Sequence, residues 1–350
     1  MSGMSPEQSD RVFALVRKLS GSDEGADVLA RALDASGMSL MKKATLENFP
    51  GVTDPDRLEN SRTGIIIDTE TTGLDDTDEV VELAMLRFRY DDQGVLSLDA
   101  VYNELREPSC PMTEEASRIT GITDKDLAGK SIPDADVARF LDGAEVVVAH
   151  HAAFDRKMAE RTFPEAGFDK MPWRCSLEEV DWTARGKNGR SLEVLALGAG
   201  YTYGSHRADA DVIATAFVLN GQGENSPFSE MLETGARDTI HVIAKDSPFH
   251  SKDALKEAGF KWSNDGSEAH GHRAWHKEVP DVPEKVAEVA ELLRSRKVYG
   301  KEMALPSYRV DAMTRYSGRK PGGMEMFRTA NAPDISSSLE QQNTELPGLN

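Results

Sequence analysis

The chain is poor in cysteine, in positive charge and in long apolar runs, and each shortage closes off a class of protein. Its two cysteines, Cys110 and Cys175, stand too far apart for a disulfide framework or a metal-ligand spacing. That usage fits a reducing compartment, so a cytoplasmic location is expected. No apolar run reaches the roughly 20 residues that a membrane-spanning helix needs. The opening MSGMSPEQSD has neither the basic nor the apolar stretch of a secretory leader. A soluble protein without a membrane partner is the expectation. Basic residues are outnumbered 41 to 60, for a net charge of −19, which argues against tight wrapping of duplex DNA by the whole surface.

What is present has an ordinary globular balance, 39% hydrophobic and 29% charged, on a length that suits about two domains. The charge is unevenly spread. Positions 237–320 carry 16 Lys and Arg against 13 Asp and Glu, a net of +3, and the remainder carries 25 against 47, a net of −22. An acidic body with one mildly basic module is compatible with a phosphodiesterase whose metals supply the positive charge at the scissile group.

Apolar spacing predicts helices over 5–47, with a turn-rich linker completing an N-terminal segment, 1–60. A buried strand starting at Gly64 follows, then a strand pair over 79–90 and 95–104 joined by Asp91-Asp92-Gln93-Gly94. Short helices are expected over 113–119 and 133–141, a strand over 145–149, and helices over 152–161, 192–197 and 207–219. This order indicates an α/β fold with a mixed sheet flanked by helices, spanning 61–222. Positions 222–227 read as a second linker, 237–317 as a small α+β module, and 318–350 as a disordered tail.

The most informative stretch is Gly64-Ile-Ile-Ile-Asp68-Thr-Glu70-Thr-Thr-Gly73-Leu74. Residues two apart in a strand share a face, so Asp68 and Glu70 converge. Two carboxylates beside an apolar run repel unless a cation sits between them, and hard oxygen ligands suit Mg²⁺ or Mn²⁺. A lone D-x-E would be read as a strand ending in a polar loop. Here two further segments join it: Ala149-His150-His151-Ala152-Ala153-Phe154-Asp155, with an acid in the first turn of a helix after a buried strand, and Tyr203-Gly204-Ser205-His206-Arg207-Ala208-Asp209-Ala210-Asp211, with a His five residues before an Asp. Strand ends of this kind border the ligand crevices of open α/β sheets.

On these residues the chain resembles the DEDDh branch of the DnaQ-like 3′→5′ exonucleases, the family of exonuclease X and of the proofreading subunit of bacterial DNA polymerase III. Its D-x-E-T-T-G-L motif matches Asp68 to Leu74. Its second motif matches Ala149–Asp155 except that His151 stands where Asn is usual. Its H-x₄-D matches His206 and Asp211, and Ile119-Thr120-Gly121-Ile122-Thr123 is like a segment between them. The resemblance covers about 62–220 and implies a ribonuclease H-like fold. It implies hydrolysis from 3′ ends to nucleoside 5′-monophosphates, with two divalent cations, Mg²⁺ or Mn²⁺, held by Asp68, Glu70, Asp155 and Asp211. His206 would be the general base. Thr71, Thr72, Gly73 and Leu74 would hold the terminal nucleotide, with His151 and Phe154 beside it. Asp209, three residues after His206, is read instead as a first-turn acid favouring the helix dipole.

The expected partner is nucleic acid with a free 3′ end, single-stranded DNA before RNA. A homodimer is compatible with the family, and association with a polymerase is the less favoured arrangement. The rival from another class is a non-catalytic binding protein keeping the fold, against which the complete set of acids and His206 speaks. In the C-terminal module, aromatics alternate with cations: Lys252, Lys256, Lys261, Trp262, Trp275 and Lys277. They are candidates for contact with single-stranded nucleic acid, the lysines before the tryptophans, which better suit the core of a small α+β module.

Overall fold

A computed structural model describes residues 41–331, apart from 76, 265, 267–270, 320 and 321, together with residues 25, 28, 29, 31, 33, 35 and 37. Most of the N-terminal helical expectation, and residues 332–350 of the expected tail, lie outside these.

The centre of the molecule is a five-stranded mixed sheet. Its strands are β2 (Arg62–Thr71), β3 (Val80–Asp91), β4 (Gly94–Leu105), β5 (Val146–Ala149) and β6 (Trp173–Cys175), in the order β4-β3-β2-β5-β6. The first three pair antiparallel, while β5 runs parallel to β2, and β6 parallel to β5. The β3–β4 turn is as expected: the Asp91 carboxylate accepts from the Gln93 and Gly94 amides at 2.8 and 3.2 Å, and Arg57 holds it from the side at 2.7 Å.

Ile65 and Ile67 face one layer and Ile66 the other, so the strand alternation feeds two separate cores. The first core lies under the Leu192–Gly198 and Ala208–Leu219 helices, the second under the Asp134–Leu141 and Ala152–Thr162 helices. This mixed sheet with helices on both faces is the ribonuclease H-like α/β fold. Among the described residues no helix is long and apolar enough to cross a membrane.

Three boundaries move. Lys42–Lys43, expected within a helix, form the short strand β1, pairing in parallel with β7 (Tyr201–Thr202). The positions read as a second linker lead straight into a helix, Pro227–Ala236. Its Phe228 and Met231 are fully buried in the first core, so the catalytic unit reaches beyond 222.

The tail is corrected as well. After β8 (Thr239–Ala244), β9 (Lys261–Trp262), β10 (Trp275–Pro280) and β11 (Ala304–Val310), the segment Glu325–Arg328 forms a twelfth strand. It completes an antiparallel sheet in the order β12-β11-β8-β10-β9. Phe327 is buried there while its neighbour Met326 is exposed, and two adjacent apolar residues between charges give little periodicity to read. Helices Lys252–Glu257 and Pro283–Arg294 belong to this module. Gly259, at φ +82°, follows the first of them in the left-handed conformation that such an ending favours.

The two units are joined by the segment between β11 and β12. The Trp173 amide on β6 donates to the Ala312 carbonyl at 2.9 Å, covering that sheet edge. Arg156, fully buried in the Ala152–Thr162 helix, donates to the carbonyls of Met313 and Arg315 at 2.6 and 2.8 Å and pairs with Glu160 at 2.8 Å. Glu160 also accepts from Ser317 at 2.6 Å. Arg315 donates to the carbonyls of Gly235 and Arg237 at 2.8 and 2.6 Å, and Tyr316 donates to Glu179 at 2.9 Å.

Candidate active site

The site forms where β2 ends. Asp68 and Glu70 project from one face of the strand, and a register shift in the β2–β3 ladder falls immediately after Glu70. Asp211 comes from the first turns of the Ala208–Leu219 helix. Ligand oxygens of Asp68, Glu70 and Asp211 lie within 4.8 Å of one another. Asp155 does not join that group at the same range. One of its oxygens accepts from the Thr69 amide at 3.1 Å and the Thr69 hydroxyl at 2.9 Å, fixing the buried carboxylate beside β2.

Burial raises the pKa of all four acids, and at Asp68, Glu70 and Asp155 neighbouring carboxylates add to it. Burial comes first at Asp68, followed by the charges of Asp155, Asp211 and Glu70, and its pKa stands well above the usual range. Burial and then Asp211 and Glu82 push Glu70 up to about 8. Burial lifts Asp155 to about 7 against the Thr69 hydrogen bonds. Burial lifts Asp211 to about 6, opposed by hydrogen bonds from Tyr203 and the Arg207 amide. A buried set of hard oxygen donors with this much uncompensated repulsion fits divalent cations of the Mg²⁺ or Mn²⁺ class.

His206 sits in the left-handed region, φ +65°, on the lead-in to the helix that carries Asp211. Its side chain is exposed and lies close enough to Asp211 to lower that carboxyl's pKa. Asp209 lies in the first turn of that helix, as expected of a dipole-favouring acid, and is absent from the group of converging oxygens.

Two neighbours were not foreseen. Glu82, fully buried on β3 directly opposite Glu70, accepts from the Arg207 guanidinium at 2.9 Å and from Asn103 at 3.0 Å. The Tyr203 hydroxyl bonds Asp211. A buried Glu in an otherwise apolar strand, Val80-Val81-Glu82-Leu83, was the signal for the first. Nothing local distinguishes Tyr203.

The residues expected to hold substrate divide. Leu74 is 85% exposed at the rim, free to meet a ligand. Thr72 is buried, its hydroxyl donating to Asp78 at 2.7 Å, and Thr71 donates to the Gly73 carbonyl. Gly73 has a packing reason of its own, since a Cβ there would come within 2.6 Å of the Asp78 carboxylate. His151 lies just ahead of the Ala152–Thr162 helix, exposed and stacked on Phe154 at 6.2 Å with 10° between the rings. Its imidazole is held below the usual range by desolvation first; Glu178 opposes this, and the charges of Lys157 and Lys261 add to it. His150 is a structural residue: its two ring nitrogens bond Ser176 and the Arg190 carbonyl at 2.8 and 2.9 Å, and burial lowers it to about 4.

The module's candidates divide too. Lys277 is tied to the Ala258 carbonyl at 2.6 Å, and Trp275 is half-buried against the module's core. Lys252, Lys256, Lys261 and Trp262 are exposed.

Comparison with known proteins agrees with this geometry. Residues 65–219 match the family model described as exonuclease, of the RNase T type. A PolC-type DNA polymerase III of Thermotoga maritima is 36% identical over 96 residues, 27% of this chain and 7% of the polymerase. An uncharacterized exonuclease, CP81, of Escherichia phage 186 is 35% identical over 109 residues, 30% of this chain and half of the phage protein. The chain thus spans only a small part of the polymerases it matches. Among solved structures, exonuclease X in complex with 5′-overhanging duplex DNA is 26% identical. That match covers 48% of this chain and 99% of that one, with a TM-score of 0.36. Residues 65–219 are thus similar to an exonuclease domain, and the DEDDh-type residues Asp68, Glu70, Asp155, His206 and Asp211 all fall within them.

Proposed function

We propose that this protein removes nucleotides one at a time from the 3′ ends of single-stranded or frayed DNA, releasing nucleoside 5′-monophosphates, with two divalent cations as cofactors. The convergence of Asp68, Glu70 and Asp211 within 4.8 Å, with Asp155 buried beside them, carries this reading. These four carboxylates would hold Mg²⁺ or Mn²⁺, which when bound stabilise the attacking and leaving oxygens of an in-line displacement.

The chain's own residues supply the rest. His206, exposed on a lead-in loop, takes the proton of the attacking water, and an imidazole suits that task near neutral pH. Arg207, anchored on buried Glu82, fixes the backbone from which His206 projects. Thr69 holds Asp155 in a single orientation, and Tyr203 does the same for Asp211. Leu74 and the His151–Phe154 stack offer apolar faces on which the terminal base can rest.

The test is a time course on matched 5′-labelled single strands of DNA and RNA with Mg²⁺, Mn²⁺ or excess chelator. A ladder shortening from the 3′ end, faster on DNA and abolished by chelation, is expected. An intact strand with every metal would overturn the reading in favour of a nucleic-acid-binding protein that keeps the fold.

A further inference from the structure

The C-terminal module carries a second feature that the hydrolytic site does not use. Ser247, Pro248, Phe249, Lys252, Trp262 and Trp275 line an open cleft of about 440 Å³, a size within the roughly 300–1,000 Å³ of small-ligand clefts. Among the described residues, the exposed large apolar side chains include just two aromatic ones, Phe249 at 91% and Trp262 at 46%, and both line this cleft. Neither is there by accident of a loose loop. Phe249 opens a 3₁₀ turn clamped by the Ser251 hydroxyl on the Pro248 carbonyl at 2.6 Å. Trp262 lies on the edge strand β9 directly opposite Trp275, the rings 5.8 Å apart and edge to face.

Exposed aromatic rings forgo the hydrophobic gain of burial, and the module packs its own core without them. The rings are bordered by the exposed cation Lys252, with exposed Lys256 one turn further along the same helix face. This alternation of stacking faces and ammonium groups complements a polynucleotide strand, whose bases are flat and whose phosphates repeat. An acidic or purely apolar partner would match only half of it.

We propose that this cleft is a binding site for single-stranded nucleic acid, in which bases stack on Phe249 and Trp262 while Lys252 and Lys256 hold the phosphates of nucleotides upstream of the 3′ end. The strand direction rests on the exonuclease reading; the binding chemistry does not. The site makes substrate length a determinant of affinity, since a strand too short to reach β9 loses these contacts.

The test measures fluorescence anisotropy of a labelled deoxythymidylate oligomer, about a dozen nucleotides long, on the full-length protein in excess EDTA, where nothing is hydrolysed. Phe249→Ala, whose side chain is outside the core, is expected to weaken binding about tenfold. Lys256→Glu is expected to weaken it further at low salt and less at high salt. A duplex of the same length is expected to compete poorly. Unchanged affinity in both variants, or equal competition by the duplex, would overturn the proposal. A parallel hydrolysis assay with Mn²⁺ separates the two readings. Hydrolysis by a wild type whose affinity neither variant lowers removes the cleft and leaves the exonuclease. Lowered affinity in the variants of a protein that hydrolyses nothing supports the cleft and removes the exonuclease.

Discussion

Two buried charged regions meet in one helix, and they follow opposite rules. Asp155 faces a crowd of acids, and its pKa is raised to about 7. Its neighbour Arg156 faces the joining segment, where Glu160 is held below the usual carboxylate range. Burial pushes both carboxylates upward. At Glu160 the hydrogen bonds from Ser317 and Arg156 more than offset it, whereas at Asp155 the two bonds from Thr69 do not. The second region is a finished structure, with opposite charges paired and donors matched to carbonyls. The first is complete only with cations, and its strain is located where the chemistry is needed.

The largest expected difference between the regions lies in activity. Asp68→Asn removes a ligand from the centre of the acid cluster and should lower the hydrolytic rate by about a thousandfold or more, read in single-turnover assays. Its melting temperature without metal should not fall, because a like-charge repulsion has gone. Arg156→Met should do the reverse. It leaves Glu160 and the Met313 and Arg315 carbonyls of the joining strap, residues 311–317, without the Arg156 guanidinium, costing about 3–5 kcal/mol of stability, measurable by urea unfolding. For the same reason, cutting the chain before Arg237 should destabilise the exonuclease domain rather than merely weaken its grip on substrate, since Glu179 and Arg156 would lose Arg315, Tyr316 and the strap carbonyls.

His206→Ala comes next. A positioned general base contributes about 10²–10⁴-fold, so the rate should fall by about a hundredfold or more while Mn²⁺ binding, followed by calorimetry, is retained.

The smallest effect is the pH slope of stability. The folded protein holds extra protons on Glu70, Asp155 and Asp211, with pKa values of about 8, 7 and 6 against ordinary carboxylate values. Stability from this cluster is therefore greatest below the unfolded pKa and declines as pH rises towards 8 in chelator. Glu160 has the opposite sign, contributing above its unfolded pKa and losing that contribution as pH falls. A chelated protein whose melting temperature is flat between pH 5 and 8 would contradict the first half.

Much of this contrast was legible in the chain itself. Asp68 and Glu70 show their shared face through strand alternation, and the pairing of β3 with β4 follows from two apolar runs and a turn of Asp and Gly. Asp155 and Asp211 stand at helix starts, positions that sequence marks well. The partners that hold them were not legible, because Thr69, Tyr203 and Glu82 act across strands and helices rather than along them. The joining segment was invisible for the same reason. Arg156 and Met313 are separated by over 150 positions, and a Gly- and Ser-containing stretch offers no period from which their contact could be read. Thr72 and Gly73 show the converse, residues placed in the substrate site by motif that also have packing duties towards Asp78.

The measurement that bears most directly on the central claim is the melting temperature of the full-length protein at pH 8, in chelator and then with excess Mn²⁺, for wild type and for Asp68→Asn. If the crowded carboxylates are a divalent-cation site, Mn²⁺ raises the wild-type melting temperature by several degrees and moves the variant far less. A wild type indifferent to Mn²⁺, or a variant that responds equally, would contradict it.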